Sequence, residues 1–145
     1  MAEVVSKKRL TRDEMYLAIA HVVAQRSSCR RAQVGAVVAD EAEIYGLGYN
    51  GAPRGLPHCT AETCDPAGNK CQSTVHAEVN AILKAGLRPG ATLYVTHSPC
   101  LECAKLIINS GIKRVVFSQY YGSVWGLDLL RAAGIIVTPY EAEVE

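Results

Sequence analysis

The 145-residue chain lacks a strong charge of either sign: 15 Lys and Arg stand against 14 Asp and Glu, giving a formal net charge of +1 and a sequence pI near 7.6. That balance argues against a domain that lives on nucleic acid, and no nucleic-acid partner is expected. The amino-terminal segment, residues 1–10, carries Lys7, Lys8 and Arg9 but no apolar run long enough for a signal peptide or a membrane span. A cytoplasmic protein without membrane contact is the resulting expectation. Internal repeats and low-complexity segments are also missing. A composition 49% hydrophobic and 20% charged suits one domain of ordinary core size, here residues 1–145. Against this plain background stand six cysteines, which in a reducing compartment read as metal ligands rather than disulfides.

Thr11 and Glu14 are spaced as a capping box, and the apolar residues Tyr16, Leu17, Ile19, Ala20, Val22 and Val23 that follow predict a helix over residues 12–26. Residues 33–39 and 43–49, rich in Val, Ile and Tyr and separated by Asp40-Glu41-Ala42, predict a hairpin. Helices over 76–85, 100–110 and 124–133 come next, closed by Gly86, Gly111 and Gly134. They alternate with strands over 92–96, 114–118 and 135–138. Such alternation implies an α/β fold, with helices on the faces of a mixed sheet entered through an antiparallel hairpin. Residues 50–74 are too long for an ordinary connection and hold Cys59, Cys64 and Cys71, which reads as a loop stapled by a metal.

His76-Ala77-Glu78 and Pro99-Cys100-Leu101-Glu102-Cys103 supply three zinc ligands, His76, Cys100 and Cys103, and one spare carboxylate. A structural zinc closes its shell with four protein ligands, whereas a hydrolytic one keeps the fourth position for water. Glu78 is then the candidate catalytic residue, a general acid and base beside that position. Cys100 and Cys103 lie three apart, so at about 100° per residue on a helix their side chains diverge by only about 60° and reach one ion. Pro99 suits a helix start, which puts the thiolates near the positive end of the helix dipole and lowers their pKa. His76 and Glu78 are two apart and would diverge in mid-helix, so their motif also belongs at a helix start, with Ser73 and Thr74 as expected caps. Two helix starts meeting at one zinc form a pocket at the end of the sheet.

His-x-Glu followed by Pro-Cys-x-x-Cys is the signature of the zinc nucleobase deaminases. Together with Gln33-Val34-Gly35-Ala36-Val37-Val38, Gly48-Tyr49-Asn50-Gly51-Ala52-Pro53, the Val79-Asn80-Ala81-Ile82 continuation and Ala104, it makes the chain resemble the cytidine/deoxycytidylate deaminase superfamily. The resemblance is strongest to the dCMP deaminases and runs from about Arg12 to Thr138. It implies a cytidine deaminase-like three-layer α-β-α sandwich with a mixed sheet of about five strands. It also implies zinc-dependent hydrolysis of dCMP to dUMP and ammonia, supplying dUMP for thymidylate synthesis.

Carried over residue by residue, the resemblance places the Ala77 backbone against the base carbonyl, the Ser98 backbone carbonyl against the amine, Val34 on the base and Asn50 on the deoxyribose hydroxyl. Arg26 and Ser27, with Ser28, Arg54 and the Tyr120-Tyr121 pair, are phosphate candidates, the alternative for each arginine being simple solvation. Trp125, beside Val124 and Leu127, reads as a core anchor rather than a base-stacking residue. Cys29, Cys59, Cys64 and Cys71 match the ligand number of a second, structural zinc carried by several relatives; His58 could replace Cys59, and free buried thiols are the plain alternative. A homo-oligomer, as a hexamer, activated by dCTP and inhibited by dTTP, is implied as well, with Gly48, Asn50, Gly51 and Arg54 in the candidate effector loop. The competing readings are a tRNA adenosine deaminase, a deaminase of dCTP or hydroxymethyl-dCMP, and a non-catalytic zinc module, against which Glu78 argues.

Overall fold

A computed structural model describes residues 8–60, 64 and 73–140. In chain order the elements are α1 (Arg12–Ala24), β1 (Gly35–Ala39), β2 (Ile44–Tyr49), α2 (Ala77–Ala85), β3 (Thr92–His97), α3 (Leu101–Asn109), β4 (Arg114–Gln119), α4 (Trp125–Ala132) and β5 (Ile136–Pro139). The capping box forms as expected: the Glu14 N–H donates to Thr11 Oγ1 at 3.1 Å and the Thr11 N–H to Glu14 Oε1 at 3.0 Å. α2 ends at Gly86, and Gly111 and Gly134 follow α3 and α4 with positive φ, a conformation that other residues adopt only under strain. α1 ends two residues before the expected boundary, and β1 begins two residues after it.

The strands form one sheet in the order β2-β1-β3-β4-β5. β1 pairs antiparallel with β2 and β3, whereas β3, β4 and β5 run parallel. The parallel pairs are joined through α3 and α4, each helix crossing over one face of the sheet. α1 covers the opposite face, packing Tyr16, Leu17 and Ala20 on Val37, Tyr94 and Val116. The larger core lies under α2, α3 and α4, where Ala81, Ile107, Leu127 and Leu130 meet Val38, Leu93, Val95 and Phe117. The three-layer sandwich is thus present. Phe117, the one phenylalanine, is fully buried there, and replacing such a residue by alanine costs about 3–5 kcal/mol.

Trp125 corrects one expectation. It is 69% exposed, because the buried face of α4 is carried by Gly126, Leu127 and Leu130 and the first-turn indole lies outside that stripe. Cys71 lies outside the described residues, as do residues 61–63 and the rest of 65–72 in the loop expected to hold a metal staple.

Candidate metal centre

The chain order α2-β3-α3 brings the site together. A helix leading directly into a strand beneath it runs opposite to that strand, so the start of α2 lies at the carboxyl end of β3, where α3 begins. Ligand crevices of α/β sheets open at that end. His76 is the N-cap residue of α2 and Cys100 that of α3, both with extended backbone and neither making a side-chain capping bond. The expected caps Ser73 and Thr74 therefore yield to His76 itself.

His76 Nδ1 lies 3.2 Å from Cys103 Sγ and 3.5 Å from Cys100 Sγ, and the ligand atoms of the three residues all fall within 4.8 Å of one another. One imidazole and two thiols at such spacing fit a single tetrahedral zinc with one position left over. The hydrogen bond from Cys103 and the adjacent His76 bring the Cys100 thiol down to about 3, whereas the same bond and burial push Cys103 up. An ion that binds both sulfurs takes them as thiolates, so its binding releases protons. Among the described residues this is the one group of three or more His, Cys, Asp or Glu side chains arranged to hold a metal.

Glu78, in the first turn of α2, is 5% exposed. Burial raises its carboxyl pKa, and its environment includes the Cys103 thiol as a hydrogen-bond partner and the nearby charges of His76 and Cys100. A buried carboxyl beside a three-ligand metal cluster is an arrangement for moving protons, not for closing a structural shell.

The family model for the cytidine and deoxycytidylate deaminase zinc-binding region matches residues 10–119. The chain belongs to this family. It is 44% identical over 123 residues to the deoxycytidylate deaminase of Mycobacterium phage D29, covering 74% of this chain and 94% of the phage protein. Identity to ComE operon protein 2 of Bacillus subtilis is 38% over 141 residues, 94% of this chain and 75% of that one. The crystal structure of a dCMP deaminase from cyanophage S-TIM5 in complex with dCMP and dUMP superposes with a TM-score of 0.80 at 32% identity, covering 91% of this chain and 100% of that one.

Around this deaminase centre the remaining candidate residues divide into groups. Ala77 is fully buried as the first residue of α2, a position whose N–H has no partner inside the helix. Ser98 is 6% exposed and held on two sides: its N–H donates to the Gln119 carbonyl at 2.9 Å, and its Oγ accepts from the Tyr121 N–H at 2.8 Å. Asn50, also buried, accepts from the Val34 N–H through Oδ1 and donates to the Ala32 carbonyl through Nδ2, each at 2.8 Å. Its side chain thereby shapes residues 32–34, leaving one amide hydrogen and one lone pair for a ligand. Ser27 is buried, and its Oγ donates to the Asn50 carbonyl at 2.8 Å and accepts from the Cys29 N–H at 3.1 Å. Arg26 and Arg54 are exposed, and Val34 is half-buried.

In the candidate effector loop, Gly48 packs on α2 and Gly51 bridges Val75 through two backbone hydrogen bonds of 3.1 and 2.8 Å. Cys29, Cys59 and Cys64 are half-buried, and Ser28 Oγ lies 3.1 Å from His58 Nδ1. Sequence reasoning missed Asn80, which donates from Nδ2 to the Tyr49 carbonyl at 2.8 Å and ties α2 to the end of β2. It sits one turn beyond His76, but no spacing rule marks such a tether.

Proposed function

We propose that this chain is a zinc-dependent dCMP deaminase, releasing dUMP and ammonia and so feeding thymidylate synthesis, with residues 1–145 as one catalytic domain. The observation that carries the reading is the buried carboxyl of Glu78 beside the His76, Cys100 and Cys103 cluster. Held by those three residues, zinc would supply an activated water nucleophile by lowering the pKa of its bound water to near neutrality. Glu78 accepts the nucleophile's proton on a carboxylate oxygen and delivers it to N3 of the cytosine ring as the nucleophile's oxygen bonds to C4. It then takes the remaining proton from the C4 hydroxyl and passes it to the amine, whose C4–N bond breaks to leave a C4 carbonyl and ammonia. The Ala77 N–H holds the base carbonyl, the Ser98 carbonyl orients the amine, and Val34 packs on the ring. The double attachment of Ser98 supports its role, since it pins the residue that carries that carbonyl. Asn50 reads the deoxyribose hydroxyl, with Arg26 and Ser27 toward the phosphate.

A second, structural zinc at Cys29, Cys59, Cys64 and Cys71 belongs to the same reading, as does a homohexamer regulated by dCTP and dTTP through the Gly48–Gly55 loop. Exposed apolar side chains support assembly: Leu83 on α2 and Leu87 just beyond its end are each 74% exposed, and Val124 joins Trp125 beside the site. Light scattering with and without each nucleotide tests assembly. No helix among the described residues is long and apolar enough to cross a membrane.

The substrate assignment is tested by ammonia release from dCMP, CMP, deoxycytidine, dCTP, hydroxymethyl-dCMP and an adenosine-containing tRNA stem-loop, side by side. The highest kcat/KM is expected for dCMP. A higher value for any of the others would replace it.

A further inference from the structure

Two glycines outside the metal-ligand motifs sit where their absence of a side chain has no conformational explanation. Gly126 lies in the first turn of α4 and Gly48 in β2, both without positive φ. Glycine in a helix or strand interior costs roughly 0.5–1 kcal/mol relative to alanine, so something else must favour it there. Close backbone approach does. A Cβ on Gly126 would overlap the Pro99 carbonyl oxygen and lie 2.8 Å from both C and O of Cys100. A Cβ on Gly48 would overlap the Ala81 nitrogen and lie 2.5 Å from the Ala77 carbonyl oxygen and 2.9 Å from C of Asn80. In each case the obstructing atoms are backbone, which cannot swing aside as a side-chain tip can.

The two contacts fall on the two helix starts that carry the metal ligands. Gly126 lets α4 press on the peptide of Cys100, and Gly48 lets β2 lie flat on the first turns of α2, behind His76 and Glu78. We propose that Gly126 and Gly48 are positioning residues of the metal centre, setting the separation of its two ligand-bearing helix starts. A methyl group at either position would move one start relative to the other while leaving every ligand in place chemically. Hydrogen-bonding groups that orient metal ligands typically change metal affinity by about 10–100-fold, and displacing a ligand-bearing helix start should act on the same scale.

The inference rests on the zinc reading of the cluster, so the experiment reads metal rather than turnover. Gly126→Ala and Gly48→Ala are each compared with a control of similar disturbance farther from the ligands. Gly134→Ala strains the end of α4, where φ is +84°, with nothing within 4 Å. Gly46→Ala presses the same strand on the same helix, but at Ala81 and Ala85. Zinc affinity is measured by chelator competition, and cobalt(II) replaces zinc for absorption spectra. Thiolate charge-transfer bands that disappear in Cys100→Ala mark the cluster.

Gly126→Ala and Gly48→Ala should weaken zinc binding by about 10–100-fold. Gly126→Ala should also shift the marked thiolate bands, since the Cys100 peptide moves. The two controls should lower the melting temperature yet keep affinity within about twofold of wild type. A glycine variant that folds and matches its control in affinity and spectrum overturns the role of that glycine, and failure of both variants to fold would assign them to the fold alone. Wild-type protein without the marked bands would instead overturn the zinc reading itself, so the two failures are distinguishable.

Discussion

His76 and Cys100 hold the same place in two different helices: each is an N-cap residue, and Nδ1 of one lies 3.5 Å from Sγ of the other. Capping residues usually turn their side chains inward to satisfy the first amides. These two do not. The geometry therefore serves an ion between the helices, and Cys100→Ala should remove about one zinc per chain and abolish turnover. Metal analysis on unoxidised protein, with ammonia release in parallel, checks both. A variant that keeps its full metal content would show that the cluster is not a zinc site.

Glu78 contributes no ligand to this reading, so its removal should separate metal binding from chemistry. Glu78→Gln preserves shape and should retain zinc while losing at least about 10²–10⁴-fold in kcat, the usual worth of a positioned acid and base. Wild-type turnover by the zinc-loaded variant would end the proposed proton route.

The far end of the sheet offers a pH test free of the metal. Arg114 donates to both carboxylate oxygens of Asp13, at 3.0 and 2.7 Å, and the Tyr94 hydroxyl donates at 2.7 Å. The Arg114 hydrogen bond foremost holds the Asp13 carboxyl below its ordinary range. A carboxyl depressed in the folded state stabilises fully above its unfolded pKa of about 3.9, and that stability is lost as pH falls through the folded value. Asp13→Asn should therefore cost about 1 kcal/mol at pH 7, a charge-assisted bond discounted for solvent screening. The gap to wild type should shrink below about pH 4. Urea melts at several pH values measure it, and a gap independent of pH would exclude the linkage.

The four remaining cysteines give a stoichiometric prediction. With both sites filled the protein should hold two zinc ions per chain, and Cys64→Ser should remove one and lower thermal stability while sparing the Cys100 site. One zinc in untreated, reduced wild-type protein would eliminate the second site.

What the sequence made legible was whatever has a local cause. The capping box at Thr11 and Glu14, the glycines after α2, α3 and α4, and the two-and-three-residue spacings at His76 and Cys100 each follow from backbone geometry within one turn. The site was readable because both ligand motifs are local and a single strand, β3, joins their helices. Contacts between distant elements were not readable. Trp125 was misplaced because an apolar residue near a helix start carries no mark of which side the sheet will take. Gly126 against Cys100 and Asn50 against Ala32 and Val34 depend on how three layers close, which periodicity does not encode.

Asn50 and Arg26 lead to the last prediction, because the structure gives them different work. The Asn50 side chain braces residues 32–34, so Asn50→Ala should impair both dCMP and deoxycytidine turnover while the three-ligand zinc site stays filled. Arg26 is exposed, so its removal should leave the fold and the nucleoside reaction unchanged. If its guanidinium meets the 5′-phosphate, charge-assisted bonds worth about 1.5–3 kcal/mol each make dCMP the better substrate by roughly tenfold to over a hundredfold per contact. Arg26→Ala should then reduce the kcat/KM ratio of dCMP to deoxycytidine by one such factor, mainly through KM. An unchanged ratio would remove Arg26 from phosphate recognition and leave Ser27, Ser28, Arg54 and the Tyr120-Tyr121 pair as candidates. Equal efficiency of wild-type enzyme on nucleoside and nucleotide would go further and reject the monophosphate assignment, with the proton chemistry of Glu78 untouched.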